Sequence, residues 1–175
     1  MRTVFVDRDG TLNRKAPPGQ YVTRWQDLVL LPGVAQAVRR LNRSGRQVIV
    51  VTNQRGVARG LMSQASLDAV HHRLRELVGQ QGARLDAIYC CAHAAGRCGC
   101  RKPQPGMLLA AAADRPGVDL ADAVLIGDAE TDVAAGRAAG VRTVRLAAAG
   151  TRSAADHVVR DLPQAVEWIL CGGAG

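Results

Sequence analysis

The chain has 175 residues, 47% of them hydrophobic and 22% charged, with a formal net charge of +8. That length suits one domain with a sizeable core, and no apolar run approaches the roughly 20 residues that a membrane-spanning helix needs. The N-terminus leads straight into an apolar strand with no signal-peptide pattern, which predicts a cytoplasmic protein without a membrane partner.

Residues 3–7 predict a first strand, and its apolar run ends in Asp7 and Asp9, one residue apart, before Gly10 turns the chain. Pro32-Gly33 opens a helix with Val34, Val38 and Leu41 on one face, closing near Ser44-Gly45. Residues 47–52 are a second apolar strand, and Thr52 and Asn53 stand at its end. Ser63 or Ser66 caps a long helix with the stripe Leu67, Val70, Leu74, Leu77 and Val78, which Gly82 stops. Ala87–Cys91 is a third strand, followed by a Cys/Gly loop, Arg101-Lys102-Pro103 and a helix from about Gly106 to Asp114. Ala123–Gly127 is a fourth strand ending in Asp128, and residues 130–139 form a short helix stopped by Gly140. Thr143–Leu146 is a fifth strand, Asp156–Val159 a sixth, Pro163 starts the last helix, and Gly172 to Gly175 read as a frayed tail.

Alternating strands and helices imply a parallel sheet with right-handed crossovers and helices on both faces. Residues 1–175 thus read as a single α/β domain, a Rossmann-like three-layer sandwich with a mainly parallel sheet. In such sheets ligands sit at the carboxyl ends of the strands, where Asp7, Asp9, Thr52, Asn53 and Asp128 fall. Two acids as close as Asp7 and Asp9 repel each other and need a cation or a shared proton. Magnesium between them, with a phosphate opposite, satisfies both. A lone aspartate at a strand end commonly caps a turn; it is the joint occurrence of these groups, in order, that points to chemistry.

Five cysteines are present, four of them between positions 90 and 100. The pattern Cys91-x-His93-x4-Cys98-x-Cys100 offers three thiolates and an imidazole, which suits a closed tetrahedral zinc site with a structural role. Gly96 and Gly99 supply turns for wrapping a metal within the loop 91–100; the alternative is a loop of unligated cysteines. Cys90 points opposite to Cys91 on its strand and reads as a small core residue, and Cys171 as inert. His71 lies on a helix stripe and reads as a packed histidine, His157 has no evident partner, and Trp25 and Trp168 read as packing residues.

Asp7-Arg8-Asp9-Gly10-Thr11, Thr52, Lys102 and Gly127-Asp128-x-x-x-Asp132 together resemble, in the same order, the four signatures of the haloacid dehalogenase-like phosphatases. The resemblance covers nearly the whole chain. It implies Asp7 as nucleophile, Asp9 as general acid and then base, and Thr52 and Lys102 as ligands of the transferring phosphoryl group. It also implies a magnesium site at Asp7, the Asp9 backbone carbonyl and Asp128, with Asp132 and Asn13 as supporting residues. The zinc-like loop, Thr52-Asn53-Gln54-Arg55-Gly56 and Arg101-Lys102-Pro103 narrow the resemblance to the subfamily of heptose 1,7-bisphosphate 7-phosphatases, much of whose pattern the histidinol-phosphate phosphatases share. Substrate contacts are then implied at Tyr21, Asn53, Gln54 and Arg101, the last through its fork of donors. The expected partner is a small phosphorylated sugar, cleaved at its 7-phosphate by a monomeric enzyme.

Two departures bear on substrate detail: a short spacing between His93 and Cys98, and Ala129 where some relatives carry a lysine. Residues 10–32 and 53–66 are too short for a separate cap domain, so the site is expected to be minimally covered. Histidinol phosphate remains the alternative substrate. The charge of +8 also raises a zinc-containing nucleic-acid-binding module. The scattered arginines and the lack of an aromatic-rich basic segment count against that reading, and it leaves the aspartates unexplained.

Overall fold

In the computed structural model, which describes residues 1–173, the apolar run Thr3–Val6 forms strand β1, buried along its whole length. Gln47–Asn53 (β2), Ala87–Cys91 (β3), Ala123–Gly127 (β4), Arg142–Leu146 (β5) and His157–Val159 (β6) complete a six-stranded sheet in the order β3-β2-β1-β4-β5-β6. Every pairing is parallel. This is the mainly parallel, Rossmann-like arrangement expected. β2 and β3 grow to one side of β1 and β4 to β6 to the other, so the strand order reverses between β1 and β4. Such a reversal opens a crevice at the carboxyl ends of the strands.

The helices are Val34–Arg43 (α1), Gln64–Gly79 (α2), Gly106–Asp114 (α3), Glu130–Ala138 (α4) and Leu162–Leu170 (α5). Alternate strand residues face opposite sides. Val4, Val6, Val48, Val50, Val124 and Ile126 pack against α1, α2 and α5, whereas Phe5, Ile49, Val51, Cys91 and Leu125 pack against α3 and α4. Three layers result, with the central runs β1, β2 and β4 buried on both faces as near-continuous apolar sequence. Ser63 caps α2 by accepting from the Ser66 N–H (3.0 Å), and Asp161 caps α5 by accepting from the Gln164 N–H (2.9 Å).

Several expectations need correction. Asp156 does not join β6: its carboxylate accepts from both the Thr143 N–H (2.7 Å) and the Thr143 hydroxyl (2.8 Å), taking a place that a strand backbone would fill. Gly173 is not frayed, because its N–H donates to Trp168 O (2.9 Å) and its carbonyl accepts from Arg142 (3.2 Å); residues 174 and 175 lie outside the described residues. Trp25 is not a packing residue: it is 46% exposed, in a short 3-10 turn, with the Arg73 guanidinium 5.9 Å from its ring centroid. His157 does have a partner, stacking on Trp168 at 4.8 Å. Cys90 is half-buried rather than core.

Candidate active site

Three adjacent strand ends build the site. Asp7 follows β1, Thr52 and Asn53 close β2, and Asp128 follows β4. Together with Asp9, Lys15, Arg101, Lys102 and Asp132 they line a cavity of about 210 Å³. A second cavity, about 170 Å³, shares Asp9, Lys15 and Asn53 with it and extends along Pro17, Pro18 and Tyr21. Tyr21 thus stands beside the first cavity, not in it. A larger hollow of about 430 Å³ lies away from these groups, between the Trp25 turn and α2.

Lys102 is the hub. Its Nζ donates to Asp7 Oδ1 (2.7 Å) and to the Val51 carbonyl (2.8 Å) and lies 2.6 Å from Asp132 Oδ1. Asn53 grips the Lys102 backbone from both sides, its amide donating to the carbonyl (3.0 Å) and its oxygen accepting from the N–H (3.1 Å). Asp132 is buried on the first turn of α4, where its carboxylate also accepts from the Ala129 N–H (3.1 Å), a favourable place for negative charge. A Cβ on Gly127 would overlap Asp132, so the bare backbone there lets the carboxylate come in.

Burial pushes the Asp7 carboxyl up to about 6, against the pull of Lys102 and with Asp132 adding to the rise. Burial works against the charge on Lys102 as well, but Asp7 and Asp132 outweigh it and raise its pKa. The two partners differ because Lys102 faces two carboxylates while Asp7 faces one ammonium and further negative charge.

Asp9 is held quite differently. Its Oδ1 accepts from Asn13 Nδ2 (2.9 Å), its Oδ2 from Gln54 Nε2 (2.7 Å), and Arg8 Nη2 reaches both oxygens at 3.1 and 2.9 Å. Burial alone would raise its pKa; Arg8, Asn13 and Gln54 outweigh that and hold it below the ordinary carboxylate value. Gln54 is itself fully buried and also donates to Thr52 Oγ1 (2.8 Å), so its amide group faces Asp9 and Thr52. The sequence reading gave Arg8 and Lys15 no role and took His71 as a packed histidine, which its burial bears out. Arg8 and His71 lie behind Asp9, and Lys15 Nζ is 2.7 Å from Asp128 Oδ2.

One carboxylate oxygen from each of Asp7, Asp128 and Asp132 lies within 4.8 Å of the others. Asp128 Oδ1 is buried without a hydrogen-bond partner. Gly10, at φ 91°, clears the way for Asp128, since a Cβ there would stand 2.5 Å from Oδ2. Clustered hard oxygens of this kind fit magnesium. Lys102 engages Asp7 and Asp132 each through Oδ1 and Lys15 engages Asp128 through Oδ2, which leaves the buried Asp128 Oδ1 open.

On the α3 side of the sheet, Cys91, His93, Cys98 and Cys100 converge. Their sulfur–sulfur and sulfur–nitrogen separations include 3.5 Å for Cys91–Cys98, 3.3 Å for Cys98–Cys100 and 3.3 Å for His93–Cys100. A tetrahedron with metal–sulfur bonds of about 2.3 Å has edges of about 3.8 Å, and soft thiolates with one imidazole are a zinc donor set. Cys100 leads directly to Arg101 and Lys102, and Gly106 N–H returns to the Gly99 carbonyl (3.1 Å), so the cluster braces the segment that carries the hub lysine.

An α/β sheet with an acid pair after β1, a buried lysine and an acid after β4 defines a phosphoryl-transfer class of site. A model of the HAD-hydrolase-like family matches residues 99–166. A D-glycero-D-manno-heptose-1,7-bisphosphate 7-phosphatase of Thermosynechococcus vestitus is 42% identical, over 95% of this chain and 94% of its own length. A D-glycero-beta-D-manno-heptose-1,7-bisphosphate 7-phosphatase of Rhodopseudomonas palustris is 41% identical, over 78% of each chain. The crystal structure of D,D-heptose 1,7-bisphosphate phosphatase from B. bronchiseptica, complexed with magnesium and phosphate, superposes with a TM-score of 0.86 at 34% identity, covering 98% of this chain and 99% of that one. The chain belongs to the haloacid dehalogenase-like phosphatases, within the group that holds these heptose bisphosphate phosphatases.

Proposed function

We propose that this protein is a magnesium-dependent phosphatase that removes the 7-phosphate of D-glycero-D-manno-heptose 1,7-bisphosphate. The observation that carries the reading is the division of labour between its two acids. Asp7 lies against the Lys102 ammonium, while Asp9 is gripped from behind by Arg8, Asn13 and Gln54.

In this reading Asp7 attacks phosphorus, forming an aspartyl-phosphate as the bond to the sugar oxygen breaks. Asp9, ionised at rest under its donors, takes up a proton from solvent as the phosphate dianion binds beside it and gives that proton to the leaving oxygen, then takes one from the water that hydrolyses the aspartyl-phosphate and frees Asp7. Thr52 and Lys102 bind the phosphoryl oxygens. Asp7, the Asp9 backbone carbonyl and Asp128 would hold magnesium, which when bound supplies positive charge opposite the transferring group. Asp132 sets the position of Lys102, and Arg101, whose Nη1 is buried without a partner beside the cavity, offers donors to the substrate. Asn53, assigned to substrate from the sequence, lines both cavities and also holds the Lys102 backbone, while Gln54 reaches Asp9. Tyr21 walls the neighbouring hollow, where the rest of a sugar can lie. Cys91, His93, Cys98 and Cys100 would hold a structural zinc. Thiols committed to a metal suit a reducing compartment such as the cytoplasm.

The test is phosphate release with magnesium from each anomer of heptose 1,7-bisphosphate and from histidinol phosphate, at equal concentrations. Preference for a heptose anomer is expected. Preference for histidinol phosphate would keep the mechanism and overturn the substrate. Asp7→Asn is expected to abolish turnover in a folded protein, and activity retained there would remove Asp7 from the nucleophile's role.

A further inference from the structure

Arg8 is the largest fully buried side chain among the described residues, and neither chemical step above uses it. Its neighbour Asp7 meets Lys102 and Asp132, whereas Arg8 runs toward α2. There Nη1 lies 3.3 Å from His71 Nε2, while Nη2 reaches both oxygens of Asp9. Burial, reinforced by the nearby guanidinium, pushes the His71 pKa down to about 4, so near neutrality the imidazole is uncharged and accepts from Arg8. Packing alone does not account for a guanidinium here, since a methionine would fill the space without the cost of burying a charge.

The contacts form a chain: a histidine anchored on α2, a guanidinium with no route to solvent, and a carboxylate. Asn13 and Gln54 take the remaining sides of that carboxylate, so Asp9 has one available orientation. We propose that Arg8, seated against His71, is a positioning residue that fixes the Asp9 carboxyl group for proton transfer to the leaving oxygen. The proposal rests on the reading of Asp9 as general acid. As the phosphorus–oxygen bond breaks, the Asp9 proton passes to the departing oxygen and negative charge develops on Asp9. A fixed guanidinium beside it stabilises that charge without reorganisation.

The test compares two phosphate esters, one with a primary alcohol as leaving group and one with nitrophenol, which departs without a proton. Single-turnover release of the alcohol or phenol isolates the first step. Arg8→Met is expected to slow alcohol release about 100-fold and phenol release far less, the scale on which general acids contribute, with KM nearly unchanged. His71→Leu is expected to show the same contrast at about a tenth of the size, and His71→Gln, whose amide oxygen still accepts, to recover most of the loss. Equal losses on both esters, or none, would overturn the proposal. Should Arg8→Met not fold, the two His71 variants face the same refutation. Asp9→Asn separates the two ideas. If it shows the leaving-group contrast and the Arg8 and His71 variants do not, this proposal fails alone; if it shows none, the reading of Asp9 fails as well.

Discussion

The pH behaviour of one histidine offers a clean residue-scale prediction. His71 has its pKa lowered from the usual 6.5 to about 4, chiefly by burial and next by Arg8. A histidine that resists protonation in the folded state leaves the unfolded chain binding more protons between those values, so stability falls as pH drops through that window. Fully developed, the effect is roughly 3 kcal/mol. Asp7 works in the opposite sense, because a carboxyl raised to about 6 takes up its proton more readily when folded. The difference between the native protein and His71→Gln isolates the histidine. In urea titrations from pH 7 to pH 4, the native protein is expected to lose stability relative to the variant. Parallel curves would mean that His71 is protonated without cost, and so is not shielded as described. The residue scale is also where the sequence was least legible. Asp7, Asp9, Thr52, Lys102, Asp128 and Asp132 stood out because each follows a strand end or belongs to a spaced motif. Arg8 stood between two conspicuous acids and His71 on an apolar stripe 63 positions away; no periodicity links them. Gln54 read as a substrate contact because the family resemblance implied one there, yet a fully buried amide goes to buried groups that accept, here Asp9 and Thr52.

Elements were far easier to read. Five helices and six strands follow from apolar period and from Gly, Pro and Ser punctuation, since strands buried on both faces have no polar alternation to confuse them. What failed were places where a side chain replaces backbone. Asp156 stands in for a β6 residue by bonding Thr143, and the Trp25 ring lies on the surface beside the Arg73 guanidinium, with a hollow between its turn and α2. The convergence of Cys91, His93, Cys98 and Cys100 was legible from spacing alone, and its link to the segment that carries Lys102 comes from the structure. The loop ends where Arg101 and Lys102 begin, and Asn53 clamps the lysine backbone from β2. With zinc bound there as proposed, losing the metal would free one of those two anchors. Removing zinc with a chelator, or replacing Cys98 with serine, is therefore expected to lower kcat/KM about tenfold or more, the scale seen when a positioning contact is lost. The thermal midpoint should drop together with it. An enzyme that keeps both parameters after complete zinc removal would reduce the cluster to a surface ornament. Rescue by re-added zinc distinguishes lost bracing from an unfolded chain.

At the scale of the whole molecule, the net charge of +8 has to be reconciled with a local balance that is not positive. The catalytic cavity is lined by Lys15, Arg101 and Lys102 against Asp7, Asp9, Asp128 and Asp132, three cations facing four carboxylates. A phosphate ester carrying nearly two negative charges gains little from that lining until a divalent cation tips its sign. Attraction at longer range must come from the arginines spread over the surface, and surface fields reach only about 30 Å at 0.01 M salt and about 8 Å at 0.15 M. The open site, with no inserted cap between the strand ends and solvent, leaves that field unobstructed. Raising salt between those concentrations at saturating magnesium is expected to lower kcat/KM several-fold and leave kcat nearly unchanged, because steering acts on encounter and not on the bound complex. A sugar bisphosphate should show about twice the dependence of a monophosphate, in step with its charge. Equal slopes for the two substrates would mean that the surface charge plays no part in capture. A matching fall in kcat would place the salt effect inside the site, on the Lys102 and Arg8 ion pairs, where burial ought to protect them from screening.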